Sequence, residues 1–273
     1  MNFLPIFANK IKLLLYSILS YFKFLIRSKN QHGIHSPFVY DFTTKCLYKK
    51  NKNFKSQFKN IKEFKKDLLS NKSFITVTDF GAGSRVFKSN LRSISAIAKN
   101  AGISNKRAKL LCKITTYFKP VYILEIGTSL GIATASMYLG NPKASIVTLE
   151  GCKETAKVAK EQFEKYFFKE IYIQTGEFKN TLSETLKNNN FDLIYFDGNH
   201  QEESTINYFL ECSKYVTNNS IFIFDDIHWN EGMSRAWEFI KNNEKVTISI
   251  DTFQWGIVFF RAEQKKEHFN IRI

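Results

Sequence analysis

The chain has 273 residues, 44% of them hydrophobic and 24% charged, enough apolar material for a large core and too much for global disorder. Its formal charge of +15 is unevenly placed: residues 1–72 hold 15 Lys/Arg against 3 Asp/Glu, and residues 73–273 hold 25 against 22. That asymmetry suggests an anionic partner for the leading segment, lipid or nucleic acid, or else a solvated basic helix face. Cys46, Cys112, Cys152 and Cys212 are far apart and form no CxxC pair. This excludes a thiolate zinc site and a disulfide framework, and it suits a reducing, cytoplasmic compartment.

In chain order, Leu13 to Phe22 is an uncharged run of 10 residues between Lys12 and Lys23, against the ~20 needed to span a membrane. Lys23, Arg27 and Lys29 stand where a signal peptidase would need small residues. Phe7, Ile11, Leu14, Leu15, Ile18, Tyr21, Phe22 and Leu25 recur at helical spacing. The segment therefore reads as an amphipathic helix that caps the core or makes peripheral membrane contact through residues 3–28. Ser36-Pro37 is a helix cap followed by a first-turn proline, at the end of the turn-rich His32-Gly33-Ile34-His35. Helical patterns follow over 38–49 and 55–70, the second with Phe54, Phe58, Ile61, Phe64 and Leu68 among lysines. Aromatic residues among lysines can stack on nucleic acid. Here their helical spacing favours a buried stripe beside a wet basic face.

From Val121 the pattern changes to short apolar strands alternating with helices. The strands read Val121–Ile126, Ser145–Leu149, Ile171–Gln174, Phe191–Phe196 and Ser220–Phe224, with helices near 131–139, 152–167, 181–188, 202–216 and 231–242. This predicts an α/β, Rossmann-like, doubly wound and mostly parallel sheet. Lys245–Asp251 and Trp255–Arg261, with no helix between them, predict an antiparallel hairpin at the sheet edge. The chain divides into a basic helical segment (1–72), a lead-in that covers a substrate pocket (73–119) and the Rossmann-like domain (120–273).

The first strand ends Leu124-Glu125-Ile126-Gly127-Thr128-Ser129-Leu130-Gly131 and opens directly into a helix. Glycines there allow a tight turn and close approach of a ligand to the helix N-terminus. The second strand ends Leu149-Glu150-Gly151, and an acidic residue at that tip is placed for ribose hydroxyls. Glu125, Gly127, Thr128, Ser129, Gly131, Glu150, Gly151, Gly176 beyond the third strand and Asp197 beyond the fourth are the candidate cofactor-binding residues. The spacing from Gly127 to Gly131 lacks the GxGxxG fingerprint of nicotinamide dehydrogenases. A second glycine turn, Thr78-Asp79-Phe80-Gly81-Ala82-Gly83-Ser84, is not followed by a strand with an acidic tip, so it reads as a loop over the substrate pocket.

The fourth strand ends Asp197-Gly198-Asn199-His200 and the fifth Asp225-Asp226-Ile227-His228-Trp229-Asn230. Adjacent parallel strands open these ends onto one crevice. Asp197, Asp225 and Asp226 would repel one another there unless a cation lies between them, and oxygen ligands of this kind suit Mg²⁺. The arrangement resembles the metal-dependent O-methyltransferases of the catechol and caffeoyl-CoA type, over residues 121–262. The LEIGT glycine loop, Asp197, and Asp225-Asp226 in place of the usual Asp-Asn pair carry the likeness.

Where those enzymes have a lysine base, this chain has His200, as in the Asp-Gly-x-His branch acting on macrolide sugars. The resemblance implies an S-adenosyl-L-methionine-dependent enzyme in which Asp197, Asp225 and Asp226 hold a divalent cation and His200 deprotonates the acceptor hydroxyl. HGIHSPFVYDF, DFGAGS and DDIHW together also resemble a group of bacterial class I methyltransferases. His32, His35 and His228 read as loop histidines. The acceptor implied is a small-molecule or lipid-linked hydroxyl. The alternatives are a metal-independent N- or nucleic-acid methyltransferase, disfavoured because Asp-Gly-Asn-His stands where base-methylating enzymes carry NPPY or DPPY, and a non-enzymatic cofactor-binding module that docks through its N-terminal segment.

Overall fold

The computed structural model describes residues 4–78 and 89–273. The glycine turn at Asp79–Ser84 lies outside the described residues. Helix α1 (Leu4–Arg27) is followed by α2 (Pro37–Phe42) and α3 (Lys55–Ser70). The Ser36 hydroxyl accepts from the Val39 amide at 3.4 Å, so the cap and first-turn proline act as the sequence indicates. A short antiparallel pair, β1 (Phe74–Thr76) and β2 (Leu91–Ser93), leads to α4 (Ile94–Asn100) and α5 (Asn105–Phe118). Then β3 (Tyr122–Ile126), α6 (Ile132–Gly140), β4 (Ser145–Glu150), α7 (Lys153–Lys165), β5 (Ile171–Thr175), α8 (Phe178–Asn188), β6 (Leu193–Phe196), α9 (Glu202–Cys212), β7 (Ile221–Asp225) and α10 (Glu231–Asn242) alternate. The chain closes with β8 (Ile248–Asp251), β9 (Trp255–Phe259) and β10 (Glu267–Asn270).

The main sheet has the order β10-β8-β9-β7-β6-β3-β4-β5. Strands β7, β6, β3, β4 and β5 are parallel, and β9 runs antiparallel to both β7 and β8. The expected terminal hairpin forms, but it is not the edge. Strand β10 pairs in parallel outside β8, and the Lys29 amide donates to the Asn270 carbonyl at 2.8 Å beyond it. The strand order reverses between β3 and β6, where doubly wound sheets bind ligands.

Alternation along each strand sorts the core into two layers. Leu124, Ile126, Ile194, Phe196, Phe222 and Phe224 face α8, α9 and α10 in one buried cluster. Ile123, Leu193, Tyr195, Ile221 and Ile223 face the other way, into a cluster shared with Phe42, Phe64, Leu68, Leu111 and Met137. The basic N-terminal helices are thus one of the two layers that cover the sheet. In α3, Phe58, Ile61, Phe64 and Leu68 are buried while the lysines stay wet, as the helical spacing requires. No helix among the described residues is long and apolar enough to cross a membrane.

Phe64 is fully buried and ringed by Phe163, Tyr166 and Phe168 at centroid distances of 6.1, 5.1 and 5.9 Å. Phe64→Ala is expected to lower global stability by ~3–5 kcal/mol. Urea denaturation should then show one transition, shifted as a whole, because α3 shares the core of the sheet.

Candidate active site

A cavity of about 760 Å³ opens at the C-terminal ends of β3, β4, β6 and β7. Its floor is the turn after β3. The Gly127 and Thr128 amides both donate to the Leu149 carbonyl at 3.0 Å, and the Asp197 amide donates to the Ile126 carbonyl at 2.9 Å, so three strand ends are laced together. Gly127 has φ 106°, and a Cβ there would lie 2.4 Å from the Asp197 carbonyl oxygen. Only glycine allows that approach. Ser129, Asn199, His200 and Asp226 also have positive φ (49°, 69°, 36° and 50°) and all four line the cavity. Such conformations cost about 1–3 kcal/mol each and cluster at functional sites.

Glu150, at the tip of β4, turns its carboxylate over this floor: Oε2 accepts from the Ser129 amide at 2.7 Å and Oε1 from the Cys152 amide at 2.9 Å. Across the cavity, His200 Nε2 lies 3.6 Å from Asp197 Oδ1, and its ring is 6.2 Å from that of Trp229. Asp197, Asp225 and Asp226 do converge. Burial, and then the neighbouring Asp225, push the Asp197 carboxyl well above the usual range. Burial and Asp225 likewise raise Asp226 to about 6, against the counter-pull of Arg107.

That arginine carries no signal in the sequence reading, yet it is the cation of the site. Arg107 stands in the first turns of α5, which Ser104 caps by accepting from the Arg107 amide at 3.3 Å. Its Nη1 donates to Asp225 Oδ1 at 2.6 Å and to Asp226 Oδ1 at 3.1 Å. Asp225 Oδ1 also accepts from Trp255 Nε1 at 2.8 Å and from the Asp226 amide at 2.9 Å. Burial would lower the guanidinium pKa, but Asp225 and Asp226 more than offset this and hold it above its ordinary value. One guanidinium thus meets the adjacent pair Asp225 and Asp226, while burial favours the protonated form of Asp197.

Three solved structures resemble this one. They are the S-adenosylhomocysteine-bound methyltransferase PaMTH1 of Podospora anserina (19% identical, TM-score 0.53, covering 58% of this chain and 80% of that one), the O-methyltransferase TomG of Streptomyces achromogenes, solved with S-adenosylmethionine (18%, 0.52, 60% and 83%), and the cofactor-bound Rv0187 from MTB (16%, 0.54, 75% and 89%). No curated protein matches the sequence. Residues 124–227 match the family described as a methyltransferase domain. The matched segment and the fold are those of a methyltransferase domain.

Of the candidate residues in this methyltransferase domain, Gly127, Ser129, Glu150, Gly151, Asp197, His200, Asp225 and Asp226 line the cavity. Glu125, Thr128, Gly131 and Gly176 do not. Gly131 (φ 77°) shapes the helix entry, where a Cβ would lie 2.4 Å from the Phe163 ring. Thr128 is buried, its hydroxyl 2.6 Å from that of Thr148. The lead-in segment does wall the cavity, through Ile97, Gly102, Ile103 and Arg107. His228 is engaged on both ring nitrogens, by Ser234 Oγ at 3.0 Å and Asp251 Oδ2 at 2.8 Å, while His32 and His35 are exposed and away from the cavity.

The expected divalent cation would meet a cation already in place: Asp225 Oδ1 and Asp226 Oδ1 hold a guanidinium, and Asp225 Oδ1 has three donors. Among the described residues no group of three or more His, Cys, Asp or Glu side chains is arranged to hold a metal.

Glu125 shares a face of β3 with Ile123, so it points beneath α6 and away from the cavity. Fully buried, its Oε2 accepts from the Thr134 hydroxyl and, at 2.6 Å, from the Thr148 hydroxyl. Burial pushes its carboxyl up to about 8, which the two hydroxyls only partly oppose. Between the ordinary value of 4.5 and about 8 the folded protein keeps a proton that the unfolded chain has lost. Stability should therefore fall as pH rises through that window, by roughly 1.4 kcal/mol per unit at most, and level off above it. Glu125→Gln should make the slope shallower when chemical denaturation is repeated across the window, leaving the part that the raised carboxyls of Asp197 and Asp226 contribute.

Proposed function

We propose that this protein transfers the methyl group of S-adenosylmethionine to a hydroxyl of a small-molecule or lipid-linked acceptor, with His200 as the base and without a divalent metal. The observation that carries the reading is His200 itself, held in a strained backbone conformation (φ 36°) on the cavity wall, with Nε2 3.6 Å from Asp197 Oδ1. The O-methyltransferase named among the similar structures supports the choice of oxygen as acceptor.

The cavity fits the methyl donor. Gly127, Ser129 and Gly151 border it, and Glu150 offers a carboxylate for ribose hydroxyls at the end of β4. When bound there, the donor supplies an electrophilic methyl on a sulfonium. The chain's own residues do the rest. His200 Nε2, at the cavity wall, takes the acceptor's proton as a general base. Arg107 keeps Asp225 and Asp226 in place behind Asp197. Trp229, Phe178 and Tyr208 wall the cavity, and exclude water from the acceptor.

Glu150→Ala should weaken calorimetric binding of S-adenosylhomocysteine by ~1–3 kcal/mol. His200→Ala should keep that binding but cut turnover by ~10²–10⁴-fold on any phenol, catechol or sugar found by screening. Equal turnover by the variant would remove His200 from the mechanism.

Chelation decides the metal question. EDTA or added Mg²⁺ should leave the wild-type melting temperature and turnover unchanged. Arg107→Ala should cost ~3–5 kcal/mol, because it leaves buried carboxylates without their cation. In that variant alone Mg²⁺ should raise the melting temperature. EDTA-sensitive turnover in the wild type would overturn the metal-free reading.

A further inference from the structure

Among the described residues, helix α1 has one face against the protein and one face that is exposed. On the inner face, the Tyr16 hydroxyl donates to Ser234 Oγ at 2.6 Å. Tyr21 stands edge-on to Phe253 at 4.8 Å, and the buried Phe24 lies 5.7 Å from the same ring. On the outer face, Leu15, Ile18, Leu19, Phe22 and Ile26 are between 43% and 85% exposed. Their spacing (i, i+3, i+4, i+7, i+11) makes one continuous stripe, running about 16 Å at the α-helical rise. A helix that ends at water normally turns its polar side outward. This one does the reverse.

Charge tells what covers the stripe. The helix has no acidic residue, and Lys23 and Arg27, one turn apart and both exposed, lie beside its apolar row. They belong to a 72-residue segment with five times as many basic as acidic residues. A second copy of the chain docked on the same stripe would bring two such basic flanks together in a protein of charge +15, which opposes association. An anionic lipid surface accepts both features at once: the apolar row enters the acyl boundary, and the flanking cations meet headgroup phosphates.

The position agrees. Phe253, the contact of Tyr21 and Phe24, sits in the turn between β8 and β9, at the end of the sheet where β7 delivers Asp225. We propose that α1 docks the protein on the surface of an anionic bilayer through Leu15, Ile18, Leu19, Phe22 and Ile26, with the cavity end of the sheet toward the lipid. The docking is independent of which reaction the cavity performs.

The test is co-sedimentation of the full-length protein with phosphatidylcholine vesicles, with and without a phosphatidylglycerol fraction. Binding is expected only with the anionic lipid, and it should weaken as salt is raised. Leu19→Asp combined with Phe22→Asp should lower the bound fraction ~10-fold or more. Because these side chains point away from the core, melting temperature and S-adenosylhomocysteine binding should not change. Should that pair fail to fold, Lys23→Glu with Arg27→Glu, at exposed polar positions, is expected to abolish the preference for anionic vesicles. Absence of binding to phosphatidylglycerol vesicles, or equal binding by the folded variants, would overturn the proposal. So would a concentration-dependent dimer in analytical ultracentrifugation that Leu19→Asp dissolves, since the stripe would then belong to a second copy.

Discussion

Three carboxyl groups arrive at the ends of two adjacent parallel strands, and the geometry of the site follows from how their charge is met. Register forces the meeting: β6 and β7 pair with Phe196 opposite Phe224, so Asp197 and Asp225 leave the sheet side by side. Alternation decides the partner. Asp225 follows Ile221 and Ile223 on the face covered by α5, and it is there that Arg107 reaches it. Acidic groups this close cannot all ionise without a counter-charge, and the guanidinium supplies one that no exchange with solvent removes. It also ties the helical lead-in to the methyltransferase domain. A sheet without α5 would have the carboxylates and no cation, so the residues before position 120 complete the site.

The same constraint accounts for where the backbone is strained. Ser129, His200 and Asp226 follow strand ends that must turn sharply to clear the cavity, and each takes a positive φ that a side chain resists. Two of them, His200 and Asp226, belong to the acidic cluster and its neighbour. The cost is sustained by hydrogen bonds that fix the turns from both sides. The Gly198 carbonyl accepts from the His200 amide, the Asn199 side chain donates to Ser204 and Tyr208, and the Trp229 amide closes on the Asp226 carbonyl. A histidine held this way has little freedom to swing, which suits a group that must present one ring nitrogen to a bound hydroxyl.

Much of this was legible in the residues, and what was missed shares one cause. The five parallel strands stand out because strands covered on both faces are continuously apolar, and their ends mark the crevice. Strand β10 escaped because Glu267–Asn270 joins the sheet by backbone pairing to β8 and only partly buries its side chains. Glu125 was read as a cofactor contact because it precedes the glycine loop. Its alternation with Leu124 and Ile126 in β3 places it with Ile123, on the face beneath α6. Arg107 had no local signal at all: it is one of 40 basic residues, on an ordinary capped helix, 118 positions from its partner. The demand for a cation between the three carboxylates was readable. That a side chain from another layer would meet it depends on packing that no spacing encodes.

Packing also joins the two ends of the chain to the site. Lys29, just past α1, pairs with the strand-like Ile271 after β10, so the first helix and the last strand are fixed to the same edge of the sheet. From there α1 leans on Phe253, whose ring stacks at 5.3 Å on His228, and His228 lies in the loop that carries Asp226 and Trp229 into the cavity. Tyr16 of α1 and His228 meet at one hydroxyl, that of Ser234 on α10. Helix α1 and the loop that lines the cavity thus share two contacts, at Phe253 and at Ser234, and lie at one end of the sheet.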